Sequence, residues 1–219
     1  MKILFFILTF TIFFPKYSLA IDCSDIDVNP QITVRYSFGK LSYDYSKNVA
    51  EITKMANDFN LVENNNFAEG LSTSNINFDI SIKTSAHPIG IKRFCVVPSQ
   101  VDILLGLNNP VIYISNSLKK DSCKYNLVLR HEKTHQQINK TVLEYYLPIF
   151  KAAVTKIIQK NSASEINDTN LLESKTRELS QKYSSQIKPL VDFIKKETSN
   201  EHLKLDNPAN YTFEGQLCP

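Results

Sequence analysis

Residues 131 to 135 of this 219-residue chain read His131-Glu132-Lys133-Thr134-His135. On an α-helix, positions four apart are separated by roughly 40° of rotation and about 6 Å of rise. His131 and His135 then point the same way, and two imidazoles so placed can grip one tetrahedral zinc ion. Glu132 falls on the adjacent side, within reach of a zinc-bound water whose proton it can take during attack on a carbonyl and later hand to a leaving amine. Zinc supplies the rest by lowering the pKa of that water to about 7 and polarising the carbonyl, so no nucleophilic side chain is required. The chain has no G-x-S-x-G elbow, which agrees with that chemistry. The competing reading is a solvated or hydrogen-bonded polar face on an ordinary helix, or a structural metal in a non-catalytic exported binding or envelope interaction protein.

H-E-x-x-H is the signature of the zincin metallopeptidases, and the chain resembles that family at His131, Glu132 and His135. The resemblance implies zinc held by His131 and His135, Glu132 as catalytic base, and a peptide or protein as substrate. More loosely, residues 110 to 146 and 205 to 218 resemble exported bacterial proteins of unassigned role that carry a zincin-like helix. In zincins the strand before the active helix commonly lines the cleft; Val111 to Ser115 is the segment placed to do so, or else it is an ordinary core strand. The metzincin continuation, with Gly and a third His, is absent, because Gln136-Gln137-Ile138-Asn139 follows His135. The third ligand must therefore come from farther along.

Chain geometry ranks the candidates. If the active helix runs to about Lys160 and the next returns antiparallel, residues near 195 come level with His131 and His135. Glu201 or His202 is then the preferred third ligand, followed by Glu197 and by Glu214, which Cys218 could fold back over the site. Glu173 and Glu178 would stand at the far end. Tyr145 and Tyr146 lie about 15 Å or more along the axis from His135 and read as packing aromatics.

The elements that must position these groups divide the chain in two. In 31–39 and 76–84 apolar and polar residues alternate, as in half-buried strands, and between them Val49, Ile52, Met55, Ala56 and Phe59 fall at helical spacing after Ser46 as N-cap. Asn64 to Ser74 reads as a loop. Two short β-rich runs, 100–106 and 110–115, flank a turn at Gly106 to Pro110. From Lys124 to about Lys160 the pattern is helical with Pro148 expected to kink or split it. A polar connector follows, then a second helix from about Leu171 to Lys196, with Pro189 as its candidate interruption, and an irregular tail. The fold expected is α+β: a small mixed or antiparallel sheet with one packed helix, followed by a long helical hairpin carrying the motif. It forms a single domain over 21–219, with a β-rich part over 21–122 and a helical part over 123–219.

Residues 1–20 read as a signal peptide: Lys2, an apolar run from Ile3 to Phe14, and Ser18-Leu19-Ala20 at the cleavage point. The run is shorter than the roughly 20 residues of a membrane span, so no stable membrane insertion is expected after cleavage, and the chain should be secreted, to a periplasmic or extracellular space if bacterial. The whole sequence carries 25 basic and 22 acidic residues. Losing Lys2 and Lys16 brings this to 23 against 22, or +1. That balance, without a Lys/Arg run interleaved with aromatics, excludes a nucleic-acid partner. Four cysteines in an exported chain read as two disulfides, expected as Cys95 with Cys123 and Cys23 with Cys218.

Overall fold

A computed structural model describes residues 22–58, 67–160 and 163–218. The leader reading and Phe59 lie outside the described residues. Within them the architecture is α+β: a mixed five-stranded sheet and four α-helices, including a long helical pair in the second half. No helix among the described residues is long and apolar enough to cross a membrane.

The sheet is organised around one strand. β4 (Arg93–Ile114) runs antiparallel along β3 (Gly70–Gly90) on one side. Its other side is shared by three short strands in succession: β5 (Ser164–Ile166) against 94–96, β1 (Gln31–Ser37) against 100–106 and β2 (Ser42–Asp44) against 111–113. β1 and β2 are parallel to β4, and β5 is antiparallel. The alternation in the sequence sets the faces. Ile76, Val101, Ile103, Leu105 and Leu107 are buried under the helices, whereas Asn77, Asp79 and Leu104 face outward.

Several expectations change. The two short runs around Gly106 to Pro110 are a single strand, not strand, turn and strand. Asn109 takes a left-handed φ of 48°, Pro110 has no N–H to pair, and β3 answers with a register shift between Thr73 and Asn75, so the irregularity is absorbed as a bulge. Strand β3 is also longer than its alternating core, taking in Gly70 to Ser74 from the expected loop as well as His87. The polar connector after the first long helix contributes β5, because Ile166 packs with Val96 and Leu179.

Helix α1 (Val49–Asp58) buries Ile52 and Ala56. Its cap is Asn48, not Ser46: Asn48 Oδ1 accepts from the Glu51 N–H at 2.9 Å, and Glu51 returns a bond from the Asn48 N–H at 2.9 Å. Ser46 is instead held by Asp44.

Helix α2 (Cys123–Lys160) continues through Pro148, and α3 (Leu172–Leu205) through Pro189. They lie antiparallel: Tyr146 meets Phe193, and His135, eleven positions earlier in α2, meets His202. Leu143, Phe150, Val154 and Ile158 from α2 and Tyr183, Ile187, Val191 and Ile194 from α3 close the core over the sheet. The packed face of α3 continues past Lys196 through Thr198 and His202, and the helix ends nine residues later than expected. The tail is not irregular: Asn207 caps α4 (Pro208–Gly215), with Pro208 in its first turn.

The disulfides are Cys23–Cys95 and Cys123–Cys218, so both expected pairings are wrong. The first is buried and pins the N-terminal segment to β4. The second joins the first residue of α2 to the tail. Folding the tail over the start of α2 leaves Cys218 beside Cys123 rather than beside Cys23.

Candidate metal centre

Helix α2 presents His131, Glu132 and His135 as its spacing predicts, and each is largely enclosed. Only 8 % of the His131 side chain and 11 % of the His135 side chain are exposed. The Nε2 atoms of the two histidines stand 3.1 Å apart. A third donor converges on them: Asp206 Oδ1 is 3.0 Å from His131 Nε2 and 3.1 Å from His135 Nε2. Ligand atoms of tetrahedral zinc at about 2.0–2.1 Å from the ion stand roughly 3.3 Å apart, so a slight opening of this triangle fits the ion. Among the described residues this is the one group of three or more His, Cys, Asp or Glu side chains close enough to share a metal.

Hydrogen bonds outside the triangle fix where the lone pairs point. Asn139 is buried, and its Nδ2 donates to Ser74 Oγ at 2.8 Å. Its Oδ1, 2.8 Å from His202 Nε2, can only accept, so His202 carries its proton on Nε2. Burial and the neighbouring His135 push the His202 pKa down to about 4, which keeps that ring neutral. His202 Nδ1 is then a lone pair, and it accepts from His135 Nδ1 at 2.9 Å. His135 therefore turns a bare Nε2 toward the centre. On the other side Glu214 accepts from His131 Nδ1 at 3.0 Å and leaves the His131 Nε2 for the same point. Tyr211 donates to Asp206 Oδ1 at 2.9 Å and lays its ring on His131, centroids 5.4 Å apart.

Three lone pairs aimed at one another repel unless a cation sits among them. The electrostatics register this appetite for positive charge. Burial disfavours an imidazolium at His131, yet the hydrogen bond to Asp206 and the charges of Glu132, Glu214 and Asp206 outweigh it and raise its pKa. Burial would raise the Asp206 carboxyl, but its contacts with His131 and His135 and the bond from Tyr211 hold it far below the ordinary carboxylate range. Burial and the adjacent Asp206 carboxylate push the Tyr211 phenol up, so it stays a donor.

Glu132 is treated differently from every other acid in the cluster. It is 6 % exposed and makes no hydrogen bond or ion pair among the described residues. Burial pushes its pKa up to about 7, opposed by the charges of His135 and His131. Gly70, the first residue of β3, passes directly against it: a Cβ there would lie 2.7 Å from Glu132 Oε1 and 2.6 Å from Val128 Cγ1. The glycine is what lets the strand and this carboxyl share the space.

The strand beside the motif is β3, not Val111 to Ser115. Gln136 Nε2 donates to Ser72 Oγ at 2.6 Å and to the Thr73 carbonyl at 3.2 Å, next to the Asn139 to Ser74 bond. Residues 111–113 are paired on both sides, with β2 and β3, and have no free edge. Among the described residues β3 pairs with β4 alone, which leaves its other edge open.

The remaining candidates sort cleanly. His202 is at the centre but holds His135, and Glu214 holds His131. Glu201 is paired with Lys204 at 2.6 Å, and with Glu197 it lines a cavity beside Tyr145 and Tyr146. Glu173 and Glu178 stand in the first turns of α3, paired with Arg177 and Lys175. Sequence reading missed Asp206 and Asn139. The signal for Asp206 was present: Ile187, Val191, Ile194, Thr198 and His202 continue one helical face up to Asp206-Asn207-Pro208, a stop sequence. Asn139 left no such trace. Comparison with protein-family models, with curated proteins and with solved structures finds no match to this chain.

Proposed function

We propose that the chain is an exported zinc-dependent hydrolase, a metallopeptidase resembling the zincins, with His131, His135 and Asp206 as metal ligands and Glu132 as general base. The observation that carries the reading is the wiring of the two histidines. Asn139 and His202 behind one, and Glu214 behind the other, each deliver a bare Nε2 to the Asp206 oxygen. When bound, zinc would supply Lewis-acid polarisation of a carbonyl and of water. The rest falls to the chain. Glu132, which makes no hydrogen bond among the described residues and has a pKa near neutrality, takes a proton from the attacking water and passes it to the departing nitrogen as the C–N bond breaks. The edge of β3 at Gly70 to Ser72, unpaired among the described residues, offers backbone groups to an extended peptide. Export is supported by the leader-like N-terminus and by the two disulfides, which persist in oxidising compartments.

A second reading keeps the metal and drops the catalysis: a structural zinc in an exported binding or envelope interaction protein. The closure of the centre favours it, as do Tyr145, Ile149 and Phe193, which stand exposed on the helical pair. Metal analysis of the purified chain, with a peptide-library assay of the native protein and Glu132→Gln, separates the two. Stoichiometric zinc with cleavage lost in the variant supports the enzyme. Zinc without cleavage in either favours the structural site, and a folded, zinc-supplied sample without zinc overturns both.

A further inference from the structure

The two disulfides differ in what they hold and in how they can be reached. Cys23 and Cys95 are both buried, whereas Cys123 is exposed and Cys218 partly so. Cys123 opens α2 eight residues before His131, about 12 Å along the axis. Cys218 lies twelve residues after Asp206. The bridge and the metal centre therefore close the same loop of structure, and α4 is the segment strung between them.

That helix has little else to keep it in place. None of its residues is buried, and Tyr211 and Phe213 are 52 % and 60 % exposed. Its ties to the body are Glu214 to His131, the Tyr211 hydroxyl to Asp206 and the Tyr211 ring to His131, Asn210 Nδ2 to the Leu205 carbonyl at 3.0 Å, and a long 3.9 Å approach of Arg130 to Glu214. Eight residues without a buried face do not hold a helix in water by themselves. Two of the groups that orient the metal ligands thus sit on a surface segment held by a few side-chain ties and one solvent-facing disulfide.

We propose that Cys123–Cys218 is a redox latch on the metal centre: oxidised, it holds Glu214 and Tyr211 against His131 and Asp206; reduced, it frees the tail and weakens metal binding. The inference rests on the metal-centre reading above. The step balances as thiol–disulfide exchange. A thiolate of a dithiol reductant attacks one sulfur of the bridge, the other leaves and takes a proton, and the second thiol of the reductant resolves the mixed disulfide. Two electrons and two protons pass to the chain, and the reductant becomes a disulfide. The buried Cys23–Cys95 bridge is out of its reach and stays closed. One consequence is that the centre assembles fully only in an oxidising compartment.

The test uses the mature chain with both bridges formed and zinc itself as probe. Zinc affinity is measured by competition with a chromogenic chelator for the wild type, Cys123→Ser/Cys218→Ser, Glu214→Gln and Tyr211→Phe, with circular dichroism and melting curves alongside. The latch predicts a Kd raised about 10–100-fold in the double variant and raised in Glu214→Gln and Tyr211→Phe, whose bridge is intact. Limited dithiol treatment followed by alkylation and mass spectrometry should label Cys123 and Cys218 before Cys23 and Cys95. A folded double variant with the wild-type Kd overturns the latch alone. So do unchanged affinities in both Glu214→Gln and Tyr211→Phe, the deciding arm if the double variant does not fold, and so does earlier opening of Cys23–Cys95. A wild type that takes no zinc overturns the metal-centre reading with it.

Discussion

The imidazoles of His135 and His202 meet Nδ1 to Nδ1 at 2.9 Å, and only one of those two nitrogens can carry the proton between them. Asn139 decides which, by accepting at the far side of His202. Replacing His202 with Phe removes the acceptor for His135 and should weaken zinc about 10–100-fold by chelator competition. His202→Gln is the informative companion. Its amide can accept from His135 and donate to Asn139 at once, so it should recover much of the affinity. Equal loss in both variants would argue that His202 acts by bulk and not by directing the proton.

Asp206 and the two glutamates of α3 that sequence geometry brought level with the motif are separable by substitution. Asp206→Ala removes one of three ligands and should abolish tight zinc binding, whereas Glu201→Ala and Glu197→Ala should bind as the wild type does. Calorimetric titration of the three side by side checks the assignment. Retained affinity in Asp206→Ala would return the third-ligand question to Glu214.

Gly70 and Glu132 compete for the same volume, since a Cβ on the glycine would fall within 2.8 Å of two side-chain atoms of the glutamate. Gly70→Ala should destabilise the fold by about 1–3 kcal/mol, the usual cost of overpacking, and should reduce hydrolysis more than it reduces zinc affinity. Thermal melts and zinc titration of the same preparation would separate the two effects.

Burial of Glu132 also makes a statement about stability and pH. Its carboxyl titrates near 4.5 when free and at about 7 in the fold, so the folded chain binds that proton more tightly than the unfolded one. The contribution is fully present below pH 4.5, falls as pH rises toward 7 and is lost above it. The span corresponds to at most on the order of 3 kcal/mol. In chelator-stripped protein, Glu132→Gln should flatten this segment of the stability curve and gain on the wild type between pH 5 and about 8. Parallel denaturant melts across that range provide the measurement. Identical pH profiles would show that the carboxyl is hydrated in solution.

The legible parts of the sequence were those with a strong local period. His131 and His135 share a face because helix geometry leaves no choice, and the alternation in 76–84 marks a strand whatever lies around it. The antiparallel return of α3 could also be argued, and it brought His202 to the right turn. What escaped depended on partners remote in sequence. Gly70 to Ser74 looks like loop until β4 is there to pair with it, and 164–166 is a polar connector until Val96 buries Ile166. Cysteine pairing was misjudged for the same reason, since nothing local records that the tail doubles back to the start of α2. Asp206 was lost at a boundary, where a helix end was set at Lys196 although one helical face ran on through Thr198 and His202.

The arrangement in which β5 pairs with the start of β4 while α2 lies between them in the chain makes the sheet a gauge for the helix. β4 leaves the sheet at Ile114, α2 travels back along it for 38 residues, about 57 Å, and the chain rejoins β4 at Phe94 to Val96. Removing one residue from α2 beyond Asn139 would turn everything downstream by about 100° and draw it back by about 1.5 Å. The histidines, upstream of the cut, would keep their places on the helix, but Ile166 would no longer reach Val96, and α3 would come home out of phase with the ligand at its end. The site thus has a tolerance for length variation that is set about 40 Å away along the helix, at the far margin of the sheet.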